Sequence, residues 1–202
     1  MVTLTVRIRE QIPQYFAPII GDVIHNLRST LDHLVAALIP NGGADPKVQF
    51  PFTECASTLD QTIRKGHVDL ADPRAIALIR QMKPYKGGND ALYGLQVLDN
   101  ADKHRLLIPV LSHTGIKSFS LKSGDVAFAL GKFVSVVGVK DGQIVAGFPL
   151  PSNMKLGDEV EPTFAIAFGD GPFANVEVTR WLCDLWRYLE AILKDFEPYV
   201  VP

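Results

Sequence analysis

The sequence predicts an α+β protein, a helical block packed with an antiparallel sheet of about five to six strands and closed by a C-terminal helix. Three observations predict it. Val2, Leu4, Val6 and Ile8 alternate with Thr3, Thr5, Arg7 and Arg9, the period of two that a strand with one covered face requires. Apolar residues then recur at helical spacing as far as Leu107. From Ile116 to Phe168 the pattern returns to short strand-like runs broken by glycine and polar residues.

Each element follows in order. Beyond Pro13, Ile20, Ile24, Leu27, Leu31, Leu34, Val35 and Leu38 recur at helical spacing, until Pro40 and Asn41-Gly42-Gly43 end the run. Val48 to Phe52 cannot be helical through Pro51, so it should run extended and bury its rings. A short helix over Ser57 to Lys65 follows. Asp72 as N-cap with Pro73 at the first helical position opens another, which carries Ile76, Leu78, Ile79 and Met82 and stops before Pro84. After the loop Lys86 to Asp90, a further helix runs to Leu107.

Strands are expected at Ser118–Leu121, Val126–Leu130, Phe133–Lys140, Gln143–Phe148 and Thr163–Phe168, with Asp141-Gly142 as a type I′ hairpin turn. The last helix, from Val176 to Phe196, carries Val178, Leu182, Leu185, Leu189, Ile192 and Leu193 along one side. No linker separates the helical half from the strand half. The first strand also needs partners that only the later strands can supply, so residues 1–202 are read as one domain.

A length of 202 residues with 47% hydrophobic content can bury a sizeable core. Twenty basic and 22 acidic residues leave a formal charge of -2, which gives no general attraction toward nucleic acid or anionic membrane. Any phosphate-binding surface must therefore be local. Cys55 and Cys183 match neither a metal-ligand spacing nor a disulfide framework and read as free thiols of a reducing compartment. The N-terminus lacks the basic and apolar regions of a signal peptide, and no apolar stretch approaches the roughly 18 residues that span a bilayer. A cytoplasmic protein with no membrane partner and no cofactor is the expectation, and a homodimer is compatible with it.

Two polar stretches interrupt this bland picture. At about 100° per residue, His25, Ser29 and Asp32 fall on one line of the first long helix, with Arg28 and His33 on either side. A solvated face with an Arg28–Asp32 pair at i,i+4 would account for them, at a few tenths of a kcal/mol. The second stretch, Asp99-Asn100-Ala101-Asp102-Lys103-His104-Arg105, argues harder. Asp99 projects between Leu92, Leu95 and Leu106, with Asp102 and Lys103 flanking it. A buried carboxylate is costly unless paired, so Asp99 or Asp102 should meet a cation, for which Arg28, His25 and Lys103 are the candidates.

Between Val6 and Pro109 several strings occur in order. They are Ile20-Gly21-Asp22-Val23-Ile24-His25-Asn26-Leu27-Arg28-Ser29-Thr30-Leu31-Asp32-His33, Phe50-Pro51-Phe52, Lys83-Pro84-Tyr85 and Asp102-Lys103-His104-Arg105. In these the chain resembles a family of uncharacterised bacterial proteins with the pattern GDxxHNLRSxLDHL … FP … Pro-Tyr … NxDKHR. The resemblance implies relatedness and brings no established activity.

Four functions are open to these residues. The leading one is a binding module with a polar pocket between the two helices. There Arg28, Lys103 and Arg105 would hold a small anionic ligand or phosphate group while Asp32, Asp99 and Asp102 orient the cations, with His25 and His104 beside them. Arg28 and His33 also satisfy the Arg-x4-His spacing of HEPN-type, metal-independent endoribonucleases and are the candidate catalytic pair. The string is short, with roughly 0.7 matches expected by chance, and near-neutral charge argues against nucleic acid without removing it. Metal chemistry could draw on His25, Asp32, His33, Asp99, Asp102 and His104, yet no metal-ligand spacing exists and Arg28 and Lys103 would oppose a cation. Last, the same residues could form a structural polar network with no ligand. Lys86-Gly87-Gly88 is a turn rather than a P-loop, no serine sits in a nucleophile elbow, and Trp181 and Trp186 read as helix packing.

Overall fold

The computed structural model describes residues 2–104, 109–123, 126–132, 139–149, 152–153, 155–171 and 173–201. By their contacts they fall into two units, one of Met1–Ala17 and Ile108–Arg180 and the other of Pro18–Leu107 and Trp181–Pro202.

The second unit is helical. α1 (Phe16–Ala37) buries Ile20, Ile24, Leu31, Leu34 and Val35 on one stripe, as the spacing requires. Leu27 is only half-buried, whereas Arg28, one residue on, is buried. Pro51 keeps the following segment out of a helix. Phe52 N–H closes back on Phe50 O at 2.9 Å across that proline, and the rings of Phe50 and Phe52 lie 4.9 Å apart. Residues Ala56–Thr58 form a 3-10 turn leading into α2 (Leu59–Lys65), which buries Leu59 and Ile63.

α3 (Pro73–Met82) starts as expected, with the Asp72 carboxylate accepting from Arg74 N at 2.7 Å and Pro73 where a free N–H would be wasted. α4 (Asp90–His104) buries Leu92, Leu95 and Leu98, and its expected continuation through 105–107 lies outside the described residues. α5 (Val178–Phe196) buries Leu185, Leu189, Ile192 and Phe196, with Leu182 and Leu193 half-buried. Beyond it the chain returns to α1, where Val201 N–H caps Ala37 O at 2.9 Å. No helix among the described residues is long and apolar enough to cross a membrane.

The mixed α+β class stands, but the single sheet of about five to six strands does not. β1 (Val2–Thr5) pairs with β4 (Ile144–Phe148) in a two-stranded ladder, Val2 opposite Phe148. A separate three-stranded sheet has β2 (Pro109–Ser123) between β3 (Val126–Lys132) and β5 (Lys155–Phe168), all antiparallel. The alternation in the first strand is real, since Leu4, Val6 and Ile8 are half-buried between exposed neighbours. Such alternation reports a covered face and says nothing of how many strands lie alongside.

Three further expectations change. β2 begins at Pro109 rather than Ser118. β5 begins at Lys155 rather than Thr163, because Asp158, Glu159, Glu161 and Pro162 hide a strand whose pairing with β2 tolerates them. The turn at Asp141-Gly142 has positive φ only at Gly142 (77°), while Gln143 N–H donates to Lys140 O at 3.1 Å. A type I′ turn needs positive φ at both central positions, so this one is of a different type. Its groups serve the N-terminal chain: Gly142 N–H donates to Val6 O and Val6 N–H to Gln143 O, each at 2.9 Å, and Asp141 Oδ1 accepts from Ile8 N–H at 2.7 Å. The strand expected at Phe133–Lys140 lies, over 133–138, outside the described residues.

Candidate functional site

Arg28 organises the polar residues of the helical unit. It is 8% exposed, and its guanidinium lies 5.1 Å from the centre of the Phe52 ring. Nε donates to Gln96 Oε1 of α4 at 2.7 Å, and Nη1 pairs with Asp32 Oδ2. The other Asp32 oxygen accepts from Phe50 N–H at 2.8 Å. Asp32 therefore fixes both the guanidinium and the backbone entering the Phe50-Pro51-Phe52 turn. The Arg28–Asp32 pair is not the solvated face pair that the i,i+4 spacing alone suggests. Loss of either partner would leave a charge in a half-closed environment, a costlier event than the breaking of a surface pair.

One turn earlier on α1, His25 meets Asp99. The carboxylate is 2% exposed and accepts from His25 Nδ1 at 2.9 Å, while the His25 side chain is 57% exposed. Ser29 Oγ lies 3.5 Å from the other ring nitrogen. Asp99 thus sits among the leucines of α4, as its helical projection requires, with His25 beside it. Arg28 goes to Asp32 and Gln96. Still earlier, Asp102 rests on Gly21: a Cβ added at Gly21 would lie 2.6 Å from Asp102 Oδ1 and overlap the rest of that carboxylate.

The two polar stretches therefore touch along α1 and α4, through His25–Asp99, Gly21–Asp102 and Arg28–Gln96. Lys103 and His104 close α4, but their side chains lie outside the described residues, as does all of Arg105. His33 is exposed and lines none of the cavities described below.

Beside Arg28 is a cavity of about 230 Å³, lined among others by Gln49, Phe52, Thr62, Lys65 and Gln96. Two cations line it and no carboxylate does. Nη2 of Arg28 makes no hydrogen bond, and Lys65 no ion pair, among the described residues. Gln49, Thr62, Lys65 and Gln96 escaped the sequence reading. Gln96 alone left a signal, three residues before Asp99 on the face of α4 turned toward α1.

A second cavity, of about 320 Å³, shares Phe52 and Gln96 with the first and adds Glu54, Tyr93 and Asn100. Tyr93 donates to Glu54 Oε2 at 2.7 Å, and this bond to a carboxylate holds the Tyr93 phenol above its ordinary value. In the other unit, a cavity of about 540 Å³ has a mainly aliphatic wall of Ile8, Ile12, Val110, Leu111 and Val139, with Glu10 and Lys140 on it. None of the candidate ligand-binding or catalytic residues lines that cavity.

Cys55 and Cys183 are free and exposed, and the Ser57 hydroxyl, with Thr58 second, draws the Cys55 thiol below its ordinary value. Among the described residues no three His, Cys, Asp or Glu side chains are placed to hold a metal ion. The chain matches no family model, no curated protein and no solved structure.

Proposed function

We propose that this chain is a cytoplasmic binding module that takes a small anionic ligand or phosphate group in the cavity beside Arg28. Membership of the bacterial family it resembles belongs to the same proposal. One observation carries the reading: a buried guanidinium, oriented by Asp32 and Gln96, lines a cavity that holds a second cation and no acid. At about 230 Å³ the cavity is below the usual 300–1,000 Å³ of sites for drug-sized ligands, a size that suits a phosphate-like group better than a whole nucleotide. Arg28 takes the leading role that the sequence reading shared among Arg28, Lys103 and Arg105, and Lys65 supports it.

Inorganic phosphate titrated calorimetrically at low salt tests this. Five heavy atoms at a ceiling of about 1.5 kcal/mol each limit affinity to roughly the micromolar range, and a partly open site should fall nearer 1 mM. Lys65→Ala should weaken binding about threefold to tenfold, and Arg28→Lys by about tenfold or more with the helical signal retained, because a point charge cannot replace the planar fork. Absence of saturable binding up to about 10 mM would show that the polar residues form only a structural network.

A further inference from the structure

We propose that the ligand is a zwitterion, with its anionic group against Arg28 and Lys65, its ammonium against Glu54, and a short aliphatic link lying over Phe52. This rests on the anion-binding reading of the first cavity and extends it into the second. The two cavities are neighbours that share Phe52 and Gln96 in their walls. The first is small for a ligand site at about 230 Å³; with the neighbouring space of about 320 Å³ the pair reaches the range in which small molecules are held.

Their charges are opposite. Arg28 and Lys65 line the first without an acid, whereas Glu54 lines the second without a cation. Glu54 Oε2 accepts from Tyr93, and Oε1 makes no hydrogen bond among the described residues, so an ammonium can approach it. Gln96 stands between the two charges. Its Oε1 is committed to Arg28, which turns its NH₂ group away from the guanidinium as a donor, and that group makes no hydrogen bond among the described residues. The Phe52 ring offers apolar surface for methylenes but no group to recognise them. Selectivity would therefore lie in the two charged ends, and a second anionic group in place of the ammonium would meet Glu54 and be rejected.

The test compares O-phosphoethanolamine, inorganic phosphate and ethanolamine by calorimetry on the full chain at low salt. Phosphoethanolamine should bind about tenfold more tightly than phosphate, and ethanolamine should bind too weakly to saturate. Glu54→Gln should abolish the preference while leaving phosphate affinity within about twofold, since Glu54 does not line the first cavity. Saturable phosphate binding with no preference for phosphoethanolamine, or a preference that survives Glu54→Gln, overturns the zwitterion and leaves the anion site intact. Failure of both phosphate and phosphoethanolamine to bind overturns both readings.

Discussion

Gly21→Ala should destabilise the protein, although Gly21 lies inside the 22-residue helix α1, where alanine is the better residue. Helix propensity alone favours the substitution by about 1 kcal/mol. Against that, the new Cβ would lie 2.6 Å from Asp102 Oδ1, about 1 Å inside the 3.5–4.0 Å at which such atoms attract. The three nearest atoms all belong to the Asp102 carboxylate, so either that group or the spacing of α1 and α4 must give. Overpacking of this kind costs about 1–3 kcal/mol, and an overlap this deep belongs at the upper end. The expected net loss is about 2 kcal/mol, or a fall in Tm of roughly 4–8 °C for a chain of this size, measured by circular dichroism. In an Asp102→Ala background the obstructing atoms are gone, and Gly21→Ala should become neutral or stabilising by up to about 1 kcal/mol. A rise in Tm from Gly21→Ala in the wild-type background would show that Asp102 does not rest on Gly21, and the described face between α1 and α4 would be wrong.

Two other expectations concern pairs of acids with bases. His25→Ala and Asp99→Ala should be non-additive by about 0.5–1 kcal/mol in denaturant, a coupling held down by the 57% exposure of the histidine side chain; fully additive losses would mean that the 2.9 Å bond contributes nothing. Asp72 is held down to about 2 from an ordinary 3.8, by the Arg74 side chain first and the Arg74 N–H second. Its stabilising effect is therefore fully present above the ordinary value and is lost as pH falls through about 2. Asp72→Asn keeps the cap and removes the charge, so wild type should lose its Tm advantage over the variant across that window, and parallel curves would refute the assignment.

What was legible in the sequence is what depends on near neighbours. The N-cap Asp72 with Pro73, the leucine stripe of α4 and the apolar side of α5 are each set within a few turns of chain, and each is where the residues put it. The burial of Asp99 was legible for the same reason, since projection fixes the face of a helix on which a residue lies. Its partner was not. His25 and Arg28 stand one turn apart on α1, and which of them reaches Asp99 depends on side-chain length and on what else each can bond. The long Arg28 arm extends to Gln96 and Asp32, leaving the shorter imidazole for Asp99. Sheet pairing was less legible still, because Val2 and Phe148 become neighbours across more than half the chain, and no local pattern encodes that distance.

The Phe50-Pro51-Phe52 turn shows how Arg28 is held. Pro51 keeps this segment out of any helix, so Phe50 N–H needs an acceptor, and Asp32 provides it. That bond fixes Asp32, whose second oxygen fixes Nη1 of Arg28, and Nε is taken by Gln96. Two of the five guanidinium N–H donors are thereby used, and the geometry of the fork determines where the other three point. Arg28 and Lys65 line one cavity, and under the proposed function an anion there would compete with water. On that proposal the competition would keep affinity for a bare phosphate modest, and a second anchoring group at Glu54 would separate one ligand from others of the same charge.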